Sequence, residues 1–408
     1  MRLTCSSDPI FNIFCSKTFW LLSPVAMSLN RSSELRVLQI CHDYEGPFRL
    51  VCRQYNEAFP DANVTTVYLR GKSSDEITSA TGGNKVIYLE NEEGALRGIK
   101  FSLIFQLRKL FREDHFDVVI AHRYKSIYLA GIMSYFFGPF LILGIAHEHN
   151  VFKRITRSLF VTFWRRQIHL IAVSRSVARN IETSCSSLAS QGRIHTLGNA
   201  ISEECELIDR TTARKELGLT EDSFVFGTVG RLVEKKNFET LLSAFAEADL
   251  DQSSRLVILG TGPLETELRA LSGLLGIEDR VAFVGYIDQA VRYYPGFDCF
   301  VFPAGDKEAF GVVLLEAMFS GLAILASDAP GPDDVLGDVG IRFSGREDLS
   351  RKLKEVYSLS EEQRKAMGEE GRQRYKREFT FQHFAKHLRS LPPLASINRV
   401  VSSPPVES

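Results

Sequence analysis

Two glutamates eight positions apart, Glu308 and Glu316, are the residues of this sequence best placed to bind a polar ligand. The apolar run 299–303 predicts a buried strand, and apolar residues at helical spacing over 310–320, followed by Gly321, predict a helix. Glu308 would lie in the loop before this helix and Glu316 about two turns further along it. Such a pair can hold a polyhydroxylated ligand at two points while the helix N-terminus accepts an anion between them.

A basic pair, Arg231 and Lys236, follows a second strand-like run at 224–230. Arginine offers a planar fork of N–H groups and lysine a compact charge, so together they suit a diphosphate. The alternative is an ordinary solvated charge cluster, because Glu234 and Lys235 lie between them.

A short glycine turn, Gly260-Thr261-Gly262, precedes the predicted helix 264–275. It resembles the start of a dinucleotide-binding loop, but the third glycine of that loop falls at Glu265. A nicotinamide- or flavin-dependent oxidoreductase is therefore the less favoured interpretation, and the turn suits the neighbourhood of a different nucleotide.

Length and composition set the frame in which these residues must be positioned. The chain has 408 residues, which suggests two domains, and a formal net charge of −1, which favours no nucleic-acid partner. Its seven cysteines are odd in number and form no CxxC pair. Neither a disulfide framework nor a zinc site is expected, and a reducing, cytoplasmic compartment fits better.

Strand-like and helix-like segments alternate through most of the chain, which predicts an α/β protein with parallel sheets covered on both faces. The strand-like runs are 36–41, 64–69, 85–89, 117–121, 140–146 and 170–173, then 224–230, 255–259, 281–284, 299–303 and 323–327. They form two doubly wound halves separated by a polar link at 202–222. Ligands of such sheets bind beyond the carboxyl ends of the strands, so we expect the site in the cleft between the halves.

Four segments in this order resemble the family 4 retaining glycosyltransferases of the GT-B fold, the group 1 glycosyltransferases. They are Gly230-Arg231-Leu232 with Lys236, the turn Gly260-Thr261-Gly262-Pro263, the strand end Val284-Gly285-Tyr286, and the spaced pair Glu308 and Glu316. The resemblance covers residues 35–390 and is densest over 224–345. It implies two Rossmann-like domains facing across a cleft.

The resemblance also implies a role for each matched residue. Arg231 and Lys236 would stabilise the diphosphate that leaves a nucleotide-sugar, Glu308 would bind the sugar, and Glu316 the ribose. The other residues implied to bind the nucleotide-sugar are Phe310 and Gly311 at the helix start, Gly230, Gly260, Gly262, Tyr286 and Ile287. His147, in Gly144-Ile145-Ala146-His147, resembles a histidine that reaches the sugar from the N-terminal half, although a packed histidine is the alternative.

The N-terminal half departs from the family in the loop after its first strand, which has one glycine, Gly46, where adjacent glycines are usual. Asp43 or Glu45 could bind the acceptor there, or the loop could be a surface turn. His122, which closes the strand before that of His147, is a further candidate on the acceptor side. Asp333 and Asp334 are adjacent rather than spaced, so we expect a solvated turn and no metal site.

Domain boundaries follow from the pattern and the resemblance together. Residues 1–34 form an extension expected to be disordered, with Met27 as the alternative start. The acceptor-side domain is expected at 35–203, the nucleotide-sugar domain at 204–374, a helix crossing back to the first domain at 375–390, and a disordered tail at 391–408.

Segment 151–170 holds five Lys or Arg, no acid, and the aromatic residues Phe152, Phe160, Phe163 and Trp164. This combination suits the surface of an anionic membrane, or else a helix whose apolar stripe packs on the sheet.

The resemblance thus implies a hexosyltransferase, and we expect it to use no cofactor or metal ion. It would move sugar with retention from a UDP- or GDP-linked donor to a glycan or glycolipid, by front-face attack. The predicted setting is lipopolysaccharide or surface polysaccharide synthesis at the cytoplasmic face of a bacterial inner membrane. The alternatives are a catalytically inactive GT-B scaffold that binds nucleotide-sugar and, less favoured, the oxidoreductase.

Overall fold

A computed structural model describes residues 34–45, 48–92, 94, 101–201 and 203–401. The predicted N-terminal extension and the alternative start at Met27 lie outside these residues, except for Glu34. Two parallel sheets form within the described chain, one in each half.

The N-terminal half is built on a sheet with the strand order β3-β2-β1-β4-β5-β6-β7. Its strands are β1 (Leu35–Cys41), β2 (Ala62–Arg70), β3 (Lys85–Asn91), β4 (Val118–His122), β5 (Leu141–Ala146), β6 (Ile168–Ala172) and β7 (Ile194–Thr196). All residues of β4 and β5 are buried, as expected for central parallel strands covered on both faces. The strand order reverses between β1 and β4. Candidate site residues of this half lie at the carboxyl ends of these strands.

The C-terminal half is built on a sheet with the order β10-β9-β8-β11-β12-β13. Its strands are β8 (Val225–Val229), β9 (Arg255–Leu259), β10 (Val281–Gly285), β11 (Cys299–Phe302), β12 (Ala323–Ser327) and β13 (Ile341–Phe343). The order reverses between β8 and β11. The loop with Arg231 and Lys236 and the loop with Glu308 follow these two neighbouring strands, which explains why they meet.

Helices connect the strands in both halves. Those of the N-terminal half are α1 (Phe48–Glu57), α2 (Asp75–Thr81), α3 (Phe101–Glu113), α4 (Arg123–Phe137), α5 (Ile155–Phe163), α6 (Arg175–Ser184) and α7 (Ser186–Ala189). The remaining helices are α8 (Arg210–Glu216), α9 (Phe238–Glu247), α10 (Glu265–Leu274), α11 (Val312–Ser320), α12 (Pro330–Leu336), α13 (Gly345–Ser358), α14 (Glu361–Glu378), α15 (Phe381–Ser390) and α16 (Pro392–Val401). Short 3₁₀ turns occupy Glu234–Lys236, Glu278–Arg280 and Ala290–Gly296.

Differences from the sequence prediction lie at short elements and at the C-terminal end. The short strands β7 and β13 were not predicted, because three residues carry too little periodicity. In place of one crossing helix at 375–390, α14 ends at Glu378 and α15 begins at Phe381. Within the tail predicted to be disordered at 391–408, Pro392–Val401 forms α16, whose Leu394 and Ile397 are buried, and residues 402–408 lie outside the described residues. The proline- and serine-rich composition of this segment did not indicate that these two apolar side chains would be buried.

The last helices and several polar contacts join the two halves. Helix α15 packs on α1, and the Tyr375 hydroxyl donates a hydrogen bond to the carbonyl of Ile201 at 3.3 Å. The amide of Ser176, beyond β6, donates a 2.5 Å hydrogen bond to Asp334, beyond β12. Residues beyond the carboxyl ends of both sheets therefore meet between the halves. Within the described residues, no helix combines the length and apolar character that crossing a bilayer requires.

Candidate active site between the two halves

Lys236 and Glu308 form an ion pair at the carboxyl ends of β8 and β11. The Lys236 Nζ lies 2.8 Å from Glu308 Oε2, and the exposed fractions of the two side chains are 15% and 11%. The ammonium group also lies 5.0 Å from the centre of the Phe302 ring, a favourable distance for a cation and an aromatic face. The two residues that the sequence assigned to phosphate and to sugar are thus in direct contact.

Glu316 is fixed by a tyrosine that sequence reasoning missed. The hydroxyl of Tyr294 donates a 2.7 Å hydrogen bond to Glu316 Oε2, and the Tyr294 ring is fully buried and stacked on Phe300. Burial raises the pKa of Glu316, although the hydrogen bond from Tyr294 and the charge of Lys236 act in the opposite direction. The Pro295 and Gly296 that follow Tyr294 are typical of a loop, so no sequence pattern indicated that its side chain would turn inward.

The other groups suited to an anion have no protein partner. Arg231 is exposed, and no hydrogen bond or ion pair of its guanidinium group occurs within the described residues. The backbone N–H groups of Phe310 and Gly311 also lack a hydrogen-bond acceptor in the part of the chain described here. Helix α11 begins at Val312, two residues later than predicted, because Gly311 adopts a left-handed conformation with φ of 87°. These amides therefore precede the helix rather than belong to its first turn.

Two loop backbones lie in close contact at Gly230, Gly260 and Gly262. A Cβ atom on Gly260 would lie 2.1 Å from the carbonyl oxygen of Gly230, and one on Gly262 would lie 2.3 Å from that of Leu232. Leu232 donates a backbone hydrogen bond to Thr261 at 3.0 Å. The turn after β9 thus supports the loop that carries Arg231 and Lys236.

Tyr286 and Ile287 follow β10 at the rim of the same region. Tyr286 is 70% exposed, and its hydroxyl donates to Asp288 Oδ1 at 3.2 Å. The same carboxylate oxygen accepts a hydrogen bond from Arg49 of α1 at 3.2 Å. Ile287 is half-buried and packs against the core. The segment predicted to lie near the base therefore also contacts the N-terminal half.

In the N-terminal half, His147 and His122 form a hydrogen-bonded pair after β5 and β4. His122 Nδ1 lies 3.1 Å from His147 Nε2, and the rings are stacked with centres 5.4 Å apart. Burial and the nearby charge of Arg123 lower the pKa of His147 to about 3. Burial, His147 and Arg123 hold the pKa of the fully buried His122 well below its usual range. Both rings are therefore neutral at physiological pH.

Asp43 is buried, so the alternative of a surface turn is wrong for this residue, while Glu45 remains largely exposed. Asp43 Oδ2 lies 2.5 Å from His42 Nδ1 and 3.9 Å from the Arg123 guanidinium. Burial opposes ionisation of Asp43, but the hydrogen bond and charge of His42 and the charge of Arg123 outweigh it and lower the pKa. Arg123, which sequence reasoning missed, has a φ of 65° and covers the Phe48 ring at 4.0 Å.

Two further residues connect the halves near Glu308, and neither was predicted to do so. Asp334 is not solvated as expected: its Oδ2 accepts a 2.5 Å hydrogen bond from the Ser176 amide at the start of α6. Burial lowers the pKa of His149. The backbone of Lys307 and the carboxylates of Asp334 and Glu308 act in the opposite direction and raise it. His149 Nε2 lies 3.1 Å from the hydroxyl of Ser176, whose amide binds Asp334, so His149 lies at this contact between the halves. By contrast, no hydrogen bond or ion pair joins His147 to Glu308 among the described residues.

Three residues of types that can bind metal ions also meet near this region. Ligand atoms of Cys41, Cys52 and His122 lie within 4.8 Å of one another, all buried. Both ring nitrogens of His122 already have hydrogen-bond partners, Gln39 and His147. Burial also raises the pKa of the Cys41 thiol well above its usual range, which disfavours the thiolate that a metal ion needs. The cluster is therefore better explained as packed polar core.

Segment 151–170 has one buried and one exposed apolar face. Phe152 and Trp164 are buried and Phe160 packs on Tyr128, so these three aromatic residues belong to the fold rather than to an outer surface. Ile155, Leu159 and Phe163 of α5 form the exposed face, with exposed fractions of 73%, 57% and 43%. The buried aromatic residues agree with the packing interpretation, and contact of the exposed face with a membrane stays a prediction.

Comparison with known proteins matches the C-terminal half to a family. Residues 209–374 match the family model described as Glycosyl transferases group 1. The capsular polysaccharide biosynthesis glycosyltransferase CapM of Staphylococcus aureus is 27% identical over 234 residues, which are 54% of this chain and 60% of CapM. The alpha-monoglucosyldiacylglycerol synthase of Streptococcus pneumoniae is 28% identical over 148 residues, which are 35% of this chain and 33% of that enzyme. The chain thus matches only part of the length of these relatives.

The fold is similar to that of solved GT-B structures over nearly the whole chain. HepE of Anabaena, solved in complex with UDP and glucose, superposes with a TM-score of 0.72 at 18% identity, covering 88% of this chain and 100% of HepE. At that level of identity the likeness concerns the fold alone. The described chain therefore has the GT-B fold of two Rossmann-like domains, and its residues 209–374 match the group 1 glycosyl transferases.

Proposed function

We propose that the chain is a retaining glycosyltransferase of the family 4 type, which moves a hexosyl group from a UDP- or GDP-linked donor to a glycan or glycolipid. The observation that carries the proposal is the set of groups beyond β8 and β11. Lys236 contacts Glu308, Tyr294 holds Glu316, and the Arg231 guanidinium has no partner among the described residues. This set lies in the segment that matches the group 1 glycosyl transferases.

Positive charge near the leaving group is the main demand of this reaction. Cleavage of the sugar–phosphate bond leaves negative charge on the departing diphosphate, and preorganised N–H groups stabilise such charge efficiently. Arg231, Lys236 and the amides of Phe310 and Gly311 can all donate N–H groups to it. We propose that these groups meet the demand without a metal ion.

The two glutamates would divide the contacts to the nucleotide-sugar. Glu308 would accept hydrogen bonds from sugar hydroxyl groups, and Glu316 from the ribose. Lys236 and Tyr294 each hold one oxygen of these carboxylates. We propose that neither glutamate forms a covalent intermediate and that the acceptor hydroxyl attacks from the front face, with retention of configuration.

A donor screen tests the proposal. Purified protein would be incubated with UDP-, GDP- and ADP-linked sugars, with and without EDTA, and sugar release and product anomeric configuration measured. We expect one donor class to be cleaved with retention and EDTA to leave the rate unchanged. Arg231→Ala should lower the rate about 100-fold, whereas Lys235→Ala, which removes an exposed cation from the same loop, should not.

Melting temperatures measured with the same nucleotides separate the alternatives. A nucleotide that raises the melting temperature without any sugar transfer would favour the inactive scaffold. Stabilisation by nicotinamide dinucleotides alone would favour the oxidoreductase, and would overturn the proposal.

We further propose that α5 contacts an anionic membrane that carries the acceptor. Ile155 and Leu159 lie four positions apart on the exposed face of α5, and Lys153, Arg154 and Arg166 are exposed nearby. No acidic residue occurs in 151–170. Exposed apolar groups flanked by cations match the headgroup region of an anionic bilayer, such as the cytoplasmic face of a bacterial inner membrane.

Vesicle sedimentation tests this surface directly. The protein should sediment with phosphatidylglycerol vesicles and remain in solution with phosphatidylcholine vesicles. Ile155→Ser/Leu159→Ser should abolish sedimentation, while Leu274→Ser, which removes an 86% exposed leucine from the other half, should not. Equal sedimentation of both variants would exclude α5 as the contact.

A further inference from the structure

A chain of buried hydrogen bonds runs from the backbone of α2 to the candidate sugar-binding histidine. Asn56 of α1 lies beside Gln39 of β1, Gln39 beside His122, and His122 beside His147. The distances are 2.7 Å from Gln39 Nε2 to Asn56 Oδ1, 2.8 Å from His122 Nε2 to Gln39 Oε1, and 3.1 Å from His122 Nδ1 to His147 Nε2. Gln39 and His122 are fully buried and Asn56 is 4% exposed.

The far end of this chain fixes the orientation of both amide side chains. Asn56 Nδ2 lies 2.9 Å from the carbonyl oxygen of Thr81 and 3.2 Å from that of Gly82. A carbonyl oxygen can only accept, so the Asn56 nitrogen must face these groups and its Oδ1 must face Gln39. Gln39 must then present its Nε2, which also donates to the carbonyl of Cys52 at 3.1 Å.

The same order of donors and acceptors continues through the two histidines. Gln39 Oε1 is left facing His122, so His122 Nε2 must carry the proton that it donates. In a neutral ring the other nitrogen then accepts, so His122 Nδ1 accepts from His147 Nε2–H. The proton of His147 is thereby assigned to Nε2. Its Nδ1 is left with a lone pair and has no hydrogen-bond partner within the described residues.

We infer that Gln39 and His122 are positioning residues that hold His147 in the tautomer whose Nδ1 can only accept a hydrogen bond. This inference rests on the proposed function, in which His147 contacts the substrate sugar. A ring fixed in this way selects a group that can donate, such as a sugar hydroxyl. It disfavours a phosphate oxygen, an ether or a fluorine at the same place, because each of these only accepts.

The ring of His147 is also held from its other side. Phe48 packs edge-to-face on it with ring centres 5.2 Å apart, and Arg123 covers the Phe48 ring at 4.0 Å. A half-turn of the imidazole about Cβ–Cγ, which would put carbon atoms in the places of the two nitrogens, would disrupt this packing as well as the bond to His122. Packing and hydrogen bonding therefore favour the same arrangement.

The chain contains a histidine pair that provides an internal control. His169 Nδ1 lies 2.9 Å from His195 Nε2, and Arg193, which can only donate, lies 3.1 Å from His169 Nε2. His169 must therefore carry its proton on Nδ1, the opposite of His147. Both tautomers should be visible in one sample.

Nitrogen NMR of protein labelled with ¹⁵N-histidine tests the assignment without substrate. We expect His147 and His122 to show an unprotonated Nδ1 and a protonated Nε2 near pH 7, and His169 the reverse. A protonated Nδ1 on His147 in the wild-type protein would overturn the inference. This result is independent of whether any sugar is transferred, so it is distinct from failure of the proposed function.

Two variants test the role of the positioning residues. Gln39→Met removes the acceptor for His122 and should give mixed tautomers at His147. Transfer kcat/KM should fall about tenfold, while the Kd of the free nucleotide stays unchanged. His122→Gln keeps one donor and one acceptor between Gln39 and His147, so it should retain the His147 tautomer and most of the rate. An unchanged His147 spectrum in folded Gln39→Met would show that Gln39 does not set the tautomer.

Discussion

The ammonium group of Lys236 lies 2.8 Å from the carboxylate of Glu308, so two residues with separate expected ligands are bound to each other. The pair brings the loop after β8 against the loop after β11 at the point where the strand order reverses. The guanidinium group of Arg231, in the same loop, has no protein partner among the described residues. In the proposed complex, the free energy of binding a diphosphate would depend on how Lys236 is shared between Glu308 and the phosphate oxygens.

Substitution of either member of this pair should have a distinct effect. Lys236→Met should lower kcat about 100-fold or more, because it removes a cation from the leaving group. Glu308→Gln should lower kcat more than it weakens nucleotide binding, since the glutamate would contact the sugar. Steady-state kinetics and nucleotide titration measure both effects.

Lys307→Met serves as the matched control for the pair. Lys307 is 76% exposed and pairs with Glu234, which is 90% exposed, so its loss should change kcat less than about twofold. Wild-type turnover in Lys236→Met would remove Lys236 from the proposed chemistry.

Glu316→Gln should stabilise the free protein and weaken nucleotide binding at the same time. Burial raises the pKa of Glu316, so the folded state favours the protonated form. The stability that this group contributes is present below its unfolded pKa and is lost as pH rises through the folded pKa. The uncharged amide of the variant would remove that loss, while its oxygen still accepts from Tyr294. The melting temperature should therefore rise by about 1–3 °C at pH 8 and be unchanged below the unfolded pKa of 4.5.

Tyr294→Phe is a control for which we expect the melting temperature to change in the opposite direction. It removes the hydrogen bond that favours the ionised carboxylate, so the melting temperature at pH 8 should fall. A stability change in Glu316→Gln that is equal at both pH values would contradict the assigned cause.

Elements with a clear period were predictable from the sequence, and side-chain partners were not. The strands β1, β4, β9 and β11 have uninterrupted or nearly uninterrupted apolar runs, and their positions differ from the predicted ones by at most about two residues. The loops with Lys236 and Glu308 could be placed because they follow neighbouring strands of a doubly wound sheet. Their ion pair could not be predicted, because charge and spacing alone fit a ligand equally well.

Residues that act from a distance in sequence were missed for the same reason. Tyr294 lies in a 3₁₀ turn and Gln39 in the middle of β1, where a polar residue breaks an apolar run without showing its partner. Arg123 takes a positive φ that no sequence pattern indicated. The contacts of these residues depend on tertiary packing rather than on local periodicity.

Gly262→Ala should destabilise the C-terminal half and displace the loop with Lys236. An added Cβ would lie 2.3 Å from the Leu232 carbonyl oxygen, which is backbone and cannot rotate away. We expect a loss of about 1–3 kcal/mol in the free energy of unfolding, measured by urea denaturation.

Gly273→Ala is the matched control within α10. No atom lies within 4 Å of an added Cβ there, so the variant should be more stable by about 0.5–1 kcal/mol. Equal stability of the two variants would mean that the contact between the loops is looser than the structure indicates.

Arg214→Met should destabilise the fold most severely, although Arg214 is far from any predicted ligand. Its side chain is fully buried and donates to Asp298 Oδ2 at 2.8 Å and to the carbonyl oxygens of Ser223 and Gly296. Asp298 Oδ2 also accepts from the amide of Val225 at 2.7 Å. Arg214 and Asp298 therefore tie the starts of β8 and β11 together, the two strands whose other ends carry Lys236 and Glu308.

Removal of Arg214 takes the buried cation from Asp298 Oδ2 and the donor from several buried carbonyl groups, so the free energy of unfolding should fall by about 3–5 kcal/mol. Arg210→Met tests whether burial is the reason. Arg210 binds the other oxygen of Asp298 at 2.6 Å but is 43% exposed, so its loss should cost less than about 1 kcal/mol. Urea denaturation of both variants measures the difference. Equal costs would show that the charge of Asp298, rather than the buried network around Arg214, holds the two strands in register.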